Sequence, residues 1–310
     1  MNTRSNDTAV ASAVDCPACA TSSRAVANYA SPHNGITYYR HCCPACSLHF
    51  WSPLKADNSI YEDAGFPAYR DYHAGNRPFP RWAEPLVSGL TSPSVNALDI
   101  GCGDGAVLAR LQQLGARVRG IDLDPQSIEI AESRCGPGTC SVSTLADFVT
   151  DAARSQEQFD LVSFFEVLEH QVDPKGFLAQ VKKLVSRAGT VAGSVPDRDR
   201  FLAWIDRRLD TGDLPPHHFL WFSMESLHGL LVRSGYTRIS IRRTGRLGLG
   251  ETFQKTQRML GSRLERIRGF PGPLANAMAC VAAFPLACIY WLGRRRRPSH
   301  LYFSCHPDSP

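Results

Sequence analysis

Three glycines in five residues, at 101, 103 and 105, separate a strand-like run from Val95 to Ile100 from a helix-like run from Ala106 to Leu114, and few folds can use such a junction. Without Cβ atoms the loop admits a ligand against its backbone, while the helix that follows offers unpaired N–H groups to a polar, partly anionic molecule. A second strand-like run, Arg117 to Ile121, ends at Asp122, twenty-one positions after Gly101. At that interval a doubly wound α/β domain places an acid that meets ribose hydroxyls, with the nucleotide lying across the carboxyl ends of its first two strands. The loop reads G-x-G-x-G, without the G-x-G-x-x-G spacing of a dinucleotide site, so no pyrophosphate has to be cradled.

Three segments occur in order: Leu98-Asp99-Ile100-Gly101-Cys102-Gly103-Asp104-Gly105, then Gly120-Ile121-Asp122-Leu123-Asp124-Pro125, then Phe159-Asp160-Leu161-Val162 followed by Glu166-Val167-Leu168-Glu169-His170. Together they resemble the class I S-adenosylmethionine-dependent methyltransferases, over roughly residues 80 to 243. The resemblance implies a Rossmann-like, mostly parallel seven-stranded sheet with helices on both faces, and S-adenosylmethionine as cofactor. It places Asp99 and Gly101 at the methionine end, Asp122 on the ribose and Thr144 and Leu145 beside the adenine, with Cys102, Gly103, Leu123 and Glu166 completing the expected contacts.

After Asp122 the apolar pattern alternates as helix (Pro125 to Arg134), strand (Cys140 to Val142), helix (Leu145 to Ser155) and strand (Phe159 to Phe165), which argues a parallel sheet. A helix over Gly176 to Ser186, a fifth strand over Gly189 to Val195 and a Ser223-capped helix over Met224 to Arg233 follow. Polar groups gather at Glu166 to His170, at a strand's carboxyl end where an acceptor would sit. Pro215-Pro216-His217-His218 resembles the segment that closes over the acceptor in ribbon-bearing methyltransferases. Methyl transfer is an in-line displacement on a sulfonium carbon, so a base is needed only when the acceptor has a proton to lose. His170, His217 and His218 are the candidate bases, with Glu166, Glu169 and Asp197 as carboxylate alternatives. A hydrogen-bonded structural role competes for each histidine.

Cys16-Pro17-Ala18-Cys19 and Cys43-Pro44-Ala45-Cys46 are two C-x-x-C knuckles separated by twenty-three residues. Four thiolates at this spacing can close a tetrahedral structural zinc site, and a segment of some fifty residues has too little core to fold without one. His41 and Cys42 are spare potential ligands beside the second knuckle; Cys43 repeats the C-P-A-C pattern and is preferred. Leu48-His49-Phe50-Trp51 and then Tyr61, Tyr69 and Tyr72 form an aromatic stretch that suits either a lid over the substrate or packing between ribbon and body.

The chain of 310 residues holds eleven cysteines, five of them between positions 16 and 46, a pattern of reduced thiols and a metal site rather than a disulfide framework. No secretory signal is read in the first fifteen residues, so the expected compartment is the cytoplasm. From Arg233 to Arg297 there are fourteen Lys or Arg against two acids, while the rest holds twenty against twenty-seven. Within that basic third, Leu274 to Leu292 is almost uncharged and closes on Gly293 and Arg294 to Arg297. Its length permits a membrane span. Asn276 and Pro285 weaken that reading, and a strand at His300 to Cys305 would then lie on the wrong side of the bilayer. A hairpin or helix at an anionic membrane face, with Arg263, Arg266, Arg268 and Arg294 to Arg297 at the headgroups, reconciles the two; a cap helix packed on the body or at a dimer interface, its arginines merely solvated, is the alternative.

The expected organisation is a lead-in (1–15), zinc ribbon (16–52), aromatic linker (53–80), methyltransferase core (81–243), basic and apolar insertion (244–298) and a last strand with tail (299–310). The expected function is methyl transfer to a small molecule: a quinone, lipid-linked or sugar-derived acceptor. A ribosomal RNA methyltransferase is the second reading, but aromatic and basic residues do not interleave as a nucleic-acid surface requires, and a non-catalytic module retaining the fold is the third. The sequence does not fix the oligomeric state.

Overall fold

The computed structural model describes residues 13–55, 73–75, 79–90, 94–209, 211–246, 248–265 and 272–308. Tyr61, Tyr69, Tyr72, Arg266 and Arg268 lie outside them, as does most of the expected lead-in.

Short strands β1 (Val14–Asp15) and β2 (Ser22–Ser23) flank the first cysteine knuckle, and β3 (Ala25–Ala30), β4 (Thr37–Cys42) and β5 (His49–Ser52) form an antiparallel meander around the second. The body begins at helix α1 (Glu84–Gly89) and continues as β6 (Asn96–Ile100), α2 (Ala106–Gln113), β7 (Arg117–Asp122), α3 (Pro125–Cys135), β8 (Cys140–Val142), α4 (Leu145–Ser155) and β9 (Phe159–Phe165). A 3-10 turn (Leu168–His170), α5 (Pro174–Leu184), β10 (Val185–Pro196), α6 (Ala203–Leu209), β11 (Leu220–Trp221), α7 (Met224–Arg233), β12 (Tyr236–Thr244), α8 (Leu249–Glu265), α9 (Gly272–Arg296) and β13 (His300–Pro307) complete it.

The main sheet has seven strands in the order β12-β13-β10-β9-β6-β7-β8, parallel except for the pairings of β13 with β10 and β12. The strand order reverses between β6 and β9, and the first two crossovers run away from it on one side; this is where such a sheet opens a ligand crevice. Strand β9 is buried on both faces except at Asp160, as its continuous apolar run requires. Helix α5 starts at Pro174, two residues before the expected Gly176, because Asp173 caps it by accepting from the Gly176 N–H at 2.9 Å.

The ribbon is not a module apart. Strand β11, contributed by the body, joins its sheet by pairing with β5 (Leu220 with Phe50, Trp221 with His49). Tyr38, Leu48, Phe50, Phe219, Phe222, Leu227 and Phe164 belong to one continuous buried cluster. The Trp51 N–H donates to the Phe219 carbonyl at 3.0 Å, and the Arg233 guanidinium donates to the Ala18 carbonyl at 3.1 Å.

Helices α8 and α9 form a hairpin inserted between β12 and β13, which pair with each other in the main sheet. A single crossing of α9 would separate two strands that the sheet holds together. Among its described side chains α9 buries Ala279, Ala283, Ala287, Tyr290 and Arg294, one face at i, i+3 and i+4 spacing. The opposite face exposes Met278, Val281, Phe284, Ile289 and Leu292, with Val281 79 % exposed. From Ala279 to Ala287 small side chains face the protein and large apolar ones face outward, the reverse of an ordinary surface helix.

Candidate functional site

A cavity of about 310 Å³ opens at the carboxyl ends of β6, β7 and β9. Its walls include Gly101 and Gly103 of the loop, Asp122 and Leu123, then Thr144 and Leu145, and on the far side Glu166, Val167, His170 and Phe177. These residues come from four separate βα junctions, and the doubly wound topology is what brings them together.

The glycine loop is shaped for close approach. Gly101 has φ +71° and a Cβ there would stand 2.6 Å from Val167 Cγ2, so glycine both adopts the left-handed backbone and leaves room for the β9 loop. Asp122 is fixed rather than free to swing: its Oδ2 accepts from the Gly103 N–H at 2.8 Å and its Oδ1 from the Asp124 N–H at 3.0 Å. Burial raises its carboxyl above the usual range, and the N–H bonds from Asp124 and Gly103 oppose that. Each oxygen retains a second lone pair, which suits a vicinal diol. Asp124, one turn beyond, caps α3 and also meets His73 Nε2 at 2.6 Å, which ties the segment before the body to the rim of the loop.

Two expected cofactor residues do not line the cavity. Asp99 is 2 % exposed and accepts from Ser163 Oγ at 2.7 Å, holding β6 to β9 behind the loop. The Cys102 side chain points away too, beside Cys140: a Cβ on Gly120 would meet the two sulfurs at 2.8 and 3.1 Å. Ser127, Ser143, Phe165 and Gln171 do line it and were not singled out from the sequence; Ser143 adjoins Thr144, Ser127 lies in the first turn of α3, Phe165 ends β9 and Gln171 follows the 3-10 turn, so their contacts are set by the fold.

On the acceptor side, Glu166 has φ +57°, a left-handed conformation costly for this residue, at the end of β9. Its Oε1 accepts from Ser194 Oγ at 2.7 Å and its Oε2 lies 3.1 Å from His300 Nε2. Burial would raise its carboxyl, but His300 and Ser194 outweigh that and hold it below the usual range. His170, His217 and His218 cluster with ring centroids 4.5–4.8 Å apart; of the three, only His170 reaches the cavity wall. Burial, then the two neighbouring rings, push His170 well below the ordinary histidine value, and burial brings His217 down to about 3. Both rings are therefore neutral at physiological pH. His218 meets Asp213 Oδ1 at 3.1 Å, and Asp213 is held by Arg200 at 2.9 Å and Arg207 at 2.7 Å. Asp197, the other carboxylate alternative, is fully buried and bound to Arg243 at 2.7 Å.

The four knuckle thiols approach one another, with Cys16 Sγ 3.6 Å from Cys46 Sγ and Cys19 Sγ 3.4 Å from Cys43 Sγ. Sulfurs bound at about 2.3 Å to one tetrahedral zinc stand about 3.8 Å apart, so the set fits a structural ion with no open position. Cys42 is exposed and outside this group. His41 is engaged elsewhere: its ring meets the Ser23 carbonyl at 3.0 Å and Ser52 Oγ at 2.8 Å, and stacks on Phe50.

Arg294 corrects one expectation. It is 6 % exposed and binds Asp206 at 2.6 Å, so it cannot meet lipid headgroups; Arg295, Arg296 and Arg297 are exposed and can.

Residues 73–241 match the family model described as a methyltransferase domain. Among curated proteins, the ubiquinone biosynthesis O-methyltransferase of Bordetella avium is 33 % identical over 132 residues, covering 42 % of this chain and 54 % of that protein. The protein of the same name from Mesorhizobium japonicum is 34 % identical over 130 residues, covering 42 % and 46 %. The chain spans about half the length of the curated relatives it matches. Among solved structures, phosphoethanolamine N-methyltransferase 2 of Haemonchus contortus, bound to phosphomonomethylethanolamine and S-adenosylhomocysteine, aligns with a TM-score of 0.55 at 14 % identity, over 84 % of this chain and 62 % of that one. The cyclopropane synthase MmaA2 of Mycobacterium tuberculosis aligns at 0.50 and 13 % identity, over 79 % and 94 %. These two likenesses concern the fold.

Proposed function

The chain belongs to the methyltransferase-domain family, and on that premise we propose that it transfers a methyl group from S-adenosylmethionine to a hydroxyl-bearing, apolar small molecule of the quinone or lipid-linked kind. The observation that carries this reading is the single cavity joining Asp122 and the glycine loop at one end to Glu166 and His170 at the other. When bound, the cofactor supplies an electrophilic methyl on a sulfonium. The protein's residues position both partners: Asp122 accepts the ribose hydroxyls, Gly101 and Gly103 let the donor lie against the backbone, and Thr144 and Leu145 flank the adenine. Phe165, Val167 and Phe177 offer an apolar wall to the acceptor, and neutral His170 is available to take its proton. The curated relatives' name supports oxygen as the acceptor atom.

The same reading places the enzyme against an anionic bilayer. The outward face of α9 carries Val281, Phe284, Ile289 and Leu292 and ends on exposed Arg295 to Arg297, an apolar strip closed by cations as an interfacial helix requires. Flotation with vesicles containing anionic lipid is expected for the wild type and lost in the Val281→Glu/Phe284→Glu double variant; equal flotation by both overturns this placement.

Methyl transfer itself is tested by incubating the purified chain with methyl-labelled donor and a cell lipid extract. Label is expected in an apolar small-molecule fraction. Label in RNA, or none in any fraction, contradicts the assignment.

A further inference from the structure

Three histidine rings and one carboxylate, all from the body, converge beside the acceptor end of the cavity. One ring nitrogen from each of His170, His217 and His218 lies within 4.8 Å of one from each of the others. Each ring is oriented through Nδ1: His170 donates to the His217 carbonyl at 2.5 Å, His217 donates to the Gly212 carbonyl at 2.7 Å, and His218 meets the Asp213 carboxylate at 3.1 Å. For His170 and His217 the partner is a carbonyl, which accepts and cannot donate, so the proton sits on Nδ1 and the neutral ring carries its lone pair on Nε2. That is the tautomer and the outer-shell arrangement by which proteins present imidazole to a metal ion.

Glu169 supplies the independent observation. Its side chain is fully buried, and neither carboxylate oxygen has a hydrogen-bond partner. Protonation would not remove the difficulty, since a neutral carboxyl still has a donor to place. A buried carboxylate left unpaired costs several kcal/mol, of a size that native structures ordinarily repay with a cation. His218 Nε2 lies 3.9 Å from Glu169 Oε1, too far for a hydrogen bond but suited to two ligands of a common ion. Nitrogen and oxygen ligands each bound at about 2.0–2.2 Å stand about 3.4 Å apart around a tetrahedral zinc, close to the 3.9 Å that already separates His218 from Glu169, and the three rings draw together onto one ion by shifts of about 1 Å.

We propose that His170, His217, His218 and Glu169 form a second metal site, separate from the four-cysteine ribbon site, which binds a divalent ion of the imidazole-preferring class such as zinc. Imidazoles with a carboxylate suit zinc or iron rather than magnesium or calcium. His170 lines the cavity, so the ion stands at its acceptor end, where zinc held by four protein ligands can take an acceptor oxygen by expanding to five. With Nε2 on the ion, His170 acts as a ligand and no longer as a base, and the site favours acceptors bearing a hydroxyl group, whose proton the ion makes easier to lose. Metal content is read without any activity, so this proposal and the methyl-transfer reading fail separately.

Zinc is the probe. The full-length protein, reconstituted with zinc and freed of excess, is expected to hold two equivalents, of which one is lost in His217→Ala and in Glu169→Gln while S-adenosylhomocysteine binding persists. Cys16→Ser should affect the other equivalent instead. Cobalt replacement separates the two by colour: thiolate-to-cobalt charge transfer from the ribbon survives in His217→Ala, whereas the visible bands of the nitrogen-rich site disappear. Glu169→Gln, nearly isosteric, guards against a folding defect and should weaken the second equivalent at least about 10-fold. One equivalent in the wild type, or two in both histidine and glutamate variants, overturns the proposal.

Discussion

At position 101 a methyl group would have to displace Val167 Cγ2 from 2.6 Å while the backbone held φ +71°. Gly101→Ala is therefore expected to cost roughly 1–2 kcal/mol and to weaken cofactor binding more than it lowers stability, measured by denaturant melts and calorimetry on the same sample. Asp124 carries a different burden, since it caps α3, accepts from Ser127 Oγ at 2.6 Å and meets His73. Burial would raise its carboxyl, but the bonds from Ser127 and His73 outweigh that, so it titrates below the ordinary aspartate value. A carboxyl with a depressed folded pKa contributes stability that is present above the unfolded value near 4 and lost as pH falls through the folded value. Asp124→Asn should thus destabilise by about 1 kcal/mol at neutral pH, with the gap from the wild type closing as pH drops below about 4; a constant gap contradicts the assignment. The glycine loop and Asp122 were legible as neighbours on one cavity because local spacing sets their placement. Asp99 was not: its bond to Ser163 depends on how far β9 slides along β6, which no local pattern records. His73 and His300 were invisible for the same reason, each meeting its acid across the fold.

Secondary elements followed their own periodicity closely wherever burial was one-sided or complete. Strand β9 and helices α4 and α7 begin and end where apolar spacing and the Thr144 and Ser223 caps place them. Helix α9 is the instructive exception. Its composition announces an apolar segment, but only the fold shows that alanines form the inner face and the bulky side chains the outer one. Ala283, fully buried, sets how closely α9 packs, so Ala283→Leu is expected to cost about 1–3 kcal/mol by overpacking, whereas Val281→Glu on the opposite face should stay within about 0.5 kcal/mol of the wild type. Thermal melts of the two variants distinguish this orientation from its inverse. Helix α9 also reaches inward: Arg294 binds Asp206, Asp206 binds Arg200, and Arg200 binds Asp213 beside His218. A chain of ion pairs thus connects the hairpin to the acceptor side of the cavity.

Across the whole molecule, the ribbon and the catalytic body share one sheet through β5 and β11 and one apolar cluster. The sequence marks the cysteine knuckles but not this fusion, because Leu220 and Trp221 form too short a run to announce a strand and its partner lies far back in the chain. Loss of the ribbon metal should therefore propagate: Cys16→Ser is expected to lower the melting temperature of the body in a single transition, and two separate transitions would show the ribbon to be independent. The central claim is that the cavity over β6 and β7 holds an adenosyl cofactor with its ribose on Asp122. Calorimetric titration of the zinc-replete chain with S-adenosylhomocysteine tests it most directly. The account predicts one site per chain, weakened at least about 10-fold in Asp122→Ala through loss of charge-assisted hydrogen bonds. No binding by the wild type, or equal affinity in the variant, would contradict it.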